Sequence, residues 1–352
     1  MPPVGVVKRE LVSMSGEWTS AGLPPVAAAR TAEARRSGTW SSALSTGEFA
    51  AIRSVGFEPV GQVMGSAVYH VSRSGTYWGY YDCGHGYAGL MGRFDRVANV
   101  ALSGQGAASR ALVQVLMDAR HKALERMVAE CAALGGDGVV AANLTMAPFP
   151  AQPNCLEFQV IGTAVRAQGP VRPRRPFTTH LDGQGFAKLL TSGWVPVELL
   201  VGISIGVRHD DWGVYQQRRL SAGNQEVVGW SELVNATRHD ARAQLTRQAR
   251  DAGAQGVVLG SSDLRVWGEP CIRAKNNNSE QEDHVAEATL VGSAIASFTV
   301  TERPARTLSV MPLDSRRKRL RQRIERELGS YGTDPYEVRR MMTELSELDG
   351  TE

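Results

Sequence analysis

Thiols, imidazoles and a block of guanidinium groups are the side chains whose type and spacing suggest chemistry in this chain. Cys83-Gly84-His85 sets a thiol and an imidazole two positions apart. Thiolate sulfur and imidazole nitrogen suit zinc or copper, but a structural zinc site needs four such donors. His70 and Asp82 are the nearest further donors and would have to fold back to serve. The motif reads first as a loop with an incidental cysteine, and second as part of a site for a divalent or soft metal ion. His121 and His239 each follow an arginine, Arg120 and Arg238, on stretches expected to form long helices. Both fall off the apolar stripe of their helix. Where a neighbouring subunit met that flank, paired imidazoles would take a metal or report pH. The bland counterpart is an exposed polar flank.

Several other matches hold by letter only. Gly202-Ile203-Ser204-Ile205-Gly206 has the spacing of a hydrolase nucleophile elbow, but its serine lies inside an apolar run rather than at a strand-to-helix turn. Gly84, Gly86 and Gly89 have dinucleotide-fingerprint spacing without the strand before or the helix after. His209-Asp210-Asp211 could attract a cation, and a turn after a strand explains it as well. The densest charge is near the C-terminus, where Arg316, Arg317, Lys318, Arg319, Arg321, Arg323 and Arg326 face Glu325 and Glu327. Leu320, Ile324 and Leu328 run through that block at helical spacing, and Asp334-Pro335 opens a second amphipathic helix. Docking on a protein partner is the simplest use of two such helices. Nucleic acid or an anionic surface is the sharper one.

The elements that must position these groups occur twice. Phe49, Gly56, Phe57, Pro59 and Val60 return 137 positions later as Phe186, Gly193, Trp194, Pro196 and Val197. A period this long indicates two copies of one domain rather than a solenoid. Each copy reads as a short helix (Glu48–Ser54; Gly185–Thr191) stopped by glycine, then an apolar strand (Val60–Tyr69; Val197–Val207). After a dissimilar region comes a long helix, with a stripe of Val113, Met117, Leu124, Met127, Cys131 and Leu134 in one copy. Val234, Ala241, Leu245, Ala249 and Ala252 form it in the other. Both helices end in matching text, Leu134-Gly135-Gly136-Asp137-Gly138-Val139-Val140 and Ala252-Gly253-Ala254-Gln255-Gly256-Val257-Val258. A hairpin and a closing strand follow, with Gly162-Thr163-Ala164-Val165 echoed by Gly292-Ser293-Ala294-Ile295.

These blocks, with Gly65-Ser66-Ala67-Val68 and its echo Gly202-Ile203-Ser204-Ile205, resemble the YbjQ family of small bacterial domains, which carries a heavy-metal-binding label. The resemblance spans roughly two thirds of the chain, counted as two domains of ordinary small size. It implies an α+β fold, an antiparallel sheet on one helix per copy, assembling into pentameric rings. Ser103-Gly104-Gln105-Gly106 and Ser221-Ala222-Gly223-Asn224 stand where that family has a different glycine-rich segment before the helix.

The expected organisation has five parts. Residues 1–45, rich in Ala, Ser, Gly and Pro, read as mostly disordered with a short helix around Val26–Arg36. Residues 46–168 and 180–300 are the two YbjQ-like domains, 169–179 a stiff Pro/Arg linker, and 301–352 a charged helical tail. With 42% hydrophobic and 21% charged residues and a net charge of +3, the composition is that of a soluble globular protein, not a bulk polyanion binder. No apolar run reaches the roughly 18 residues of a bilayer span. Four scattered cysteines, Cys83, Cys131, Cys155 and Cys271, fit reduced thiols in the cytoplasm. The functional expectation is a non-enzymatic homo-oligomeric scaffold. Metal handling, with no cofactor beyond that ion, and regulatory binding through the arginine-rich tail are the alternatives.

Overall fold

A computed structural model describes residues 18, 20, 22–71, 80–83, 100–152, 154–271, 282–298, 324 and 338–343. The chain divides into two units, Met1–Thr299 and Val300–Glu352. In the first, the elements are α1 (Pro25–Ser37), α2 (Thr46–Ser54), β1 (Phe57–His70), β2 (Val100–Leu102), α3 (Arg110–Ala133), β3 (Gly138–Pro148) and β4 (Cys155–Ala167). Then come β5 (Phe177–Thr178), α4 (Gly183–Thr191), β6 (Trp194–His209), α5 (Trp212–Gln217), α6 (Val228–Asp251), β7 (Gly256–Pro270) and β8 (Glu282–Ser297). The class is α+β, as expected. Two four-stranded sheets have the orders β1-β4-β3-β5 and β2-β6-β8-β7. No helix among the described residues is long and apolar enough to cross a membrane.

Local chemistry explains the helix ends. Ser45 and Glu48 form a reciprocal capping box at α2, with Glu48 Oε2 accepting from Ser45 N–H at 2.7 Å. Hydrogen bonds from the Ser45 side chain and backbone hold the Glu48 pKa below its ordinary value. Asp182 caps α4 by accepting from Gly185 N–H at 2.6 Å. After each short helix a glycine takes a left-handed φ, 80° at Gly56 and 83° at Gly193, a conformation costly for other residues.

The layers follow from which faces are apolar. In β1, Val63 and Ala67 point to α3 and alternate with half-buried or exposed neighbours. In β6 the burial is nearly continuous. Leu199, Val201, Ile203, Ile205 and Val207 share a core with α3, whereas Leu200 packs with Ala241, Leu245 and Ala249 of α6. The stack therefore runs from the first sheet to α3, the second sheet and α6. Fully buried Met127 and nearly buried Leu245 hold matching places on the two helices, each burial contributing about 2 kcal/mol. The stripe of α6 differs by one position from the expected one, because Leu233, Thr237 and Asp240 are buried rather than Val234.

Matching positions make matching contacts in the two halves. Across β1 and β6 the long helix passes so close that a Cβ on Gly65 or Gly202 would strike the Ala123 or Ala241 carbonyl oxygen. Two helix side chains four apart satisfy the outer edge of each strand. Glu130 accepts from Met64 N–H at 2.8 Å and Arg126 donates to the Ser66 carbonyl. In the second half Gln244 accepts from Ile203 N–H at 3.3 Å and Gln248 donates to the Val201 carbonyl at 2.8 Å. Asp137 and Gln255 accept from Ala167 and Ser297 N–H, both at 2.8 Å.

The matching contacts start before residue 46. Trp40 stacks on Phe49 with centroids 5.7 Å apart, as Phe177 stacks on Phe186 at 5.4 Å. Ser42 Oγ lies 3.0 Å from Thr163 Oγ1, and Thr179 Oγ1 lies 2.9 Å from Ser293 Oγ. The N-terminal stretch also carries the short helix expected near Val26–Arg36, tied by the Arg30–Glu130 ion pair. Its structure beyond composition comes from such contacts with the body. Residues 169–176 are likewise held, Arg172 pairing with buried Asp137 at 3.2 Å.

Two short strands cross between the halves. β2 belongs by sequence to the first half and pairs with β6. β5, at the start of the second half, pairs in parallel with β3. In the second unit, residues 338–343 are helical, and Ile324, Val338 and Met341 form a small apolar cluster. Arg316, Arg317, Lys318, Arg319, Arg321 and Arg323 lie outside the described residues.

Candidate metal centre

One end of the second sheet gathers four metal-binding side chains. β6 and β8 are antiparallel with His209 opposite Asp283, and His209 Nδ1 lies 2.7 Å from Asp283 Oδ1. At the end of β7, Pro270 pairs with Glu282, so the next residue, Cys271, reaches the same place. The first half supplies Cys83. Its neighbour Tyr81 packs edge-on against Trp267 of β7 at 5.7 Å between centroids. Cys83 Sγ and Cys271 Sγ are 3.9 Å apart, and the donor atoms of Cys83, His209, Cys271 and Asp283 all lie within 4.8 Å of one another. Cys83, Cys271 and Asp283 are buried, and the His209 side chain is 10% exposed. None of the chain's four cysteines is in a disulfide.

The surroundings hold this corner rigid. Next to His209, Asp210 accepts from Trp230 Nε1 at 3.1 Å and from Arg218 at 2.9 Å. His284 Nδ1 is 3.1 Å from the same carboxylate, though off the line a hydrogen bond prefers, and its ring packs 4.6 Å from Trp230. Burial raises the Asp210 pKa, but the close approach of His284, the hydrogen bond from Trp230 and the charge of Arg218 outweigh it and leave the value lowered.

Two thiols, an imidazole and a carboxylate make a donor set that fits zinc and its soft relatives, and does not suit magnesium or calcium, which take oxygen ligands. The set can hold an ion. Nothing in it supplies a nucleophile next to a base in an open cleft.

The other sequence candidates go elsewhere. His85 and the Gly84–Gly89 loop lie outside the described residues. His121 and His239 are exposed on α3 and α6 and take no part in the four-donor cluster. His70 is exposed opposite Cys155. Ser204 of the elbow spacing is fully buried and donates to Asp240 Oδ2 at 2.6 Å, so it serves the core. Asp211 caps α5 through Val214 N–H at 2.9 Å. Cys271 and Asp283 escaped sequence reasoning because they lie far from Cys83 in the chain. A signal existed, in that all the donors flank the dissimilar excursions beyond strand ends.

Residues 95–168 match the YbjQ family, described as "Putative heavy-metal-binding". None of the four clustered donors falls in that span. Over 247 residues the chain is 34% identical to the encapsulin nanocompartment protein Rv1762c of Mycobacterium tuberculosis strain H37Rv, covering 68% of this chain and 82% of that protein. The chain belongs to the family of that mycobacterial protein.

Proposed function

We propose that this protein is a non-enzymatic structural component that assembles head to tail into a closed ring, as part of a nanocompartment-type assembly in the cytoplasm. The reading takes both halves as YbjQ-like domains, 46–168 and 180–300, with residues 301–352 as a docking tail. The observation that carries it is the junction inside the chain. Residues 177–181, which open the second half, lie along the edge of β3. Phe177 and Thr179 N–H donate to the Asp137 and Val139 carbonyls at 3.1 and 2.9 Å. Ala141 and Ala142 N–H donate to the Leu181 and Thr179 carbonyls at 2.8 and 2.9 Å.

The second half offers the matching edge on β7, which ends its sheet. There Leu259 and Val266 are 48% and 47% exposed. Such an edge templates pairing with another chain. The segment that matches residues 177–181 in the first half begins at Trp40, where Trp40 and Ser41 are exposed. Trp40–Leu44 of one chain would therefore lie along Gln255–Gly260 of the next, repeating the internal junction between molecules. A heterologous contact of this kind closes into a ring or continues as a filament. The YbjQ resemblance sets five chains as the expected number. The relative's role in a nanocompartment supports an assembled state.

Light scattering on the full chain at micromolar concentration tests the reading. A discrete multiple of the chain mass is expected. Leu259→Pro removes the N–H that matches the Ala141 donor and should lower the mass to that of a folded single chain. A wild-type protein that is already a stable monomer overturns the proposal.

A further inference from the structure

We infer that Cys83, His209, Cys271 and Asp283 form a structural site for one zinc-class divalent ion, which ties residues 80–83 to the end of the second sheet. This goes beyond the assembly reading and does not depend on it, since all four donors belong to one chain.

The spacing of the sulfurs argues for an ion rather than a covalent bridge. Tetrahedral zinc with bonds of about 2.3 Å to sulfur holds two thiolates about 3.8 Å apart, and the observed separation is 3.9 Å. A disulfide needs a separation near 2.05 Å. The imidazole and carboxylate sit closer together than two ligands of one ion, at 2.7 Å. They would part by about 0.7 Å as the hydrogen bond gives way to bonds of about 2.1 Å to the metal. The remaining donor separations already fall within 4.8 Å, so small rotations of the side chains are sufficient.

Burial points the same way. Asp283 is 2% exposed and Cys83 and Cys271 are 6% and 2% exposed, so little water competes with an ion for their donor atoms. Position explains the use. Cys83 and Cys271 are 188 positions apart in the chain. Joining residues so distant in sequence closes a long loop, so an ion bound there stabilises the folded chain. The soft sulfur pair selects zinc, cadmium or cobalt over oxygen-seeking ions.

The experiment uses the untagged full-length protein purified with a reductant, loaded with zinc, dialysed against a weak chelator and assayed by elemental mass spectrometry. One zinc per chain is expected. Cys83→Ser and Cys271→Ser should each weaken retention at least tenfold, while His121→Ala and His239→Ala should leave it unchanged. Cobalt replacing zinc in the wild-type protein should give the thiolate-to-metal charge-transfer absorption, a readout that needs no variant to fold. A strong chelator should lower the melting temperature of the wild-type protein and not that of the Cys83→Ser protein. Wild-type protein that retains no zinc and shows no cobalt–thiolate band overturns the proposal. So does zinc held equally well by folded Cys83→Ser and Cys271→Ser proteins, or a Cys83–Cys271 disulfide surviving the reductant.

Discussion

The two long helices occupy equivalent places in the two halves, yet they live in different surroundings. α3 lies between two sheets, whereas α6 has one sheet beneath it and solvent above. The pair Arg120 and Arg238 reports the difference. Arg238 is exposed, but Arg120 is 4% exposed, donating to the Leu116 carbonyl at 3.0 Å and lying 5.0 Å from the Phe158 ring centroid. Burial pushes its pKa down to about 10, which still leaves it charged at neutral pH. Cys131 on the same helix is driven the other way by burial, to about 12, with the charge of Asp137 adding to the effect, and is an inert core thiol. Arginines at matching places on the two helices are thus surface in one half and core in the other. The layer each helix occupies sets what its side chains do.

The largest test of the shared skeleton is the glycine at each helix crossing. Gly65→Ala and Gly202→Ala should each destabilise the protein by about 3 kcal/mol, since the added methyl meets helix backbone rather than a side chain that can move. Denaturant unfolding would measure both. A tolerated alanine at either site would show that the crossings differ.

A smaller effect separates the halves. Asp240 is buried in the second half and accepts from Ser204 Oγ at 2.6 Å and Gly104 N–H at 3.2 Å, pinning the turn after β2. Its counterpart on α3 is Lys122, which reaches Glu125 at 3.4 Å. Asp240→Ala should cost about 2 kcal/mol by stranding those donors, and Lys122→Ala well under 1 kcal/mol. Equal losses in thermal unfolding would erase the asymmetry.

The smallest effect is in pH. His180 stands where the first half has Ala43, with Nδ1 2.7 Å from Ser293 Oγ, and burial lowers its pKa below 6.5. The folded state therefore resists protonation. As pH falls below 6.5 the unfolded chain binds the proton first, and stability is lost down to the lower folded value. His180→Gln should flatten the pH dependence of the melting temperature over that range. Unchanged curvature would assign the acid sensitivity to other groups.

Much of this was legible in the chain. Glycine stops at Gly56 and Gly193, the capping residues, both long helices and the strand pairs are written in local pattern. The short strands were not, since Val100–Leu102 and Phe177–Thr178 are too brief to carry a period and owe their form to the edges they join. The candidate metal centre was half visible. Cys83 stands in local sequence beside His85, whereas Cys271 and Asp283 lie far along the chain. A site built jointly by both halves has no reason to appear twice.

The sequence by itself determined the helix stops, the long helices and the apolar strands, because periodicity, glycine and proline act within a few residues and leave their mark in local pattern. Tertiary structure alone decided that α3 is covered on two sides, that the opening of one half seals the sheet of the other, and that Cys83 meets Cys271. Those contacts join residues far apart in the chain, and only the packing of layers brings them within reach.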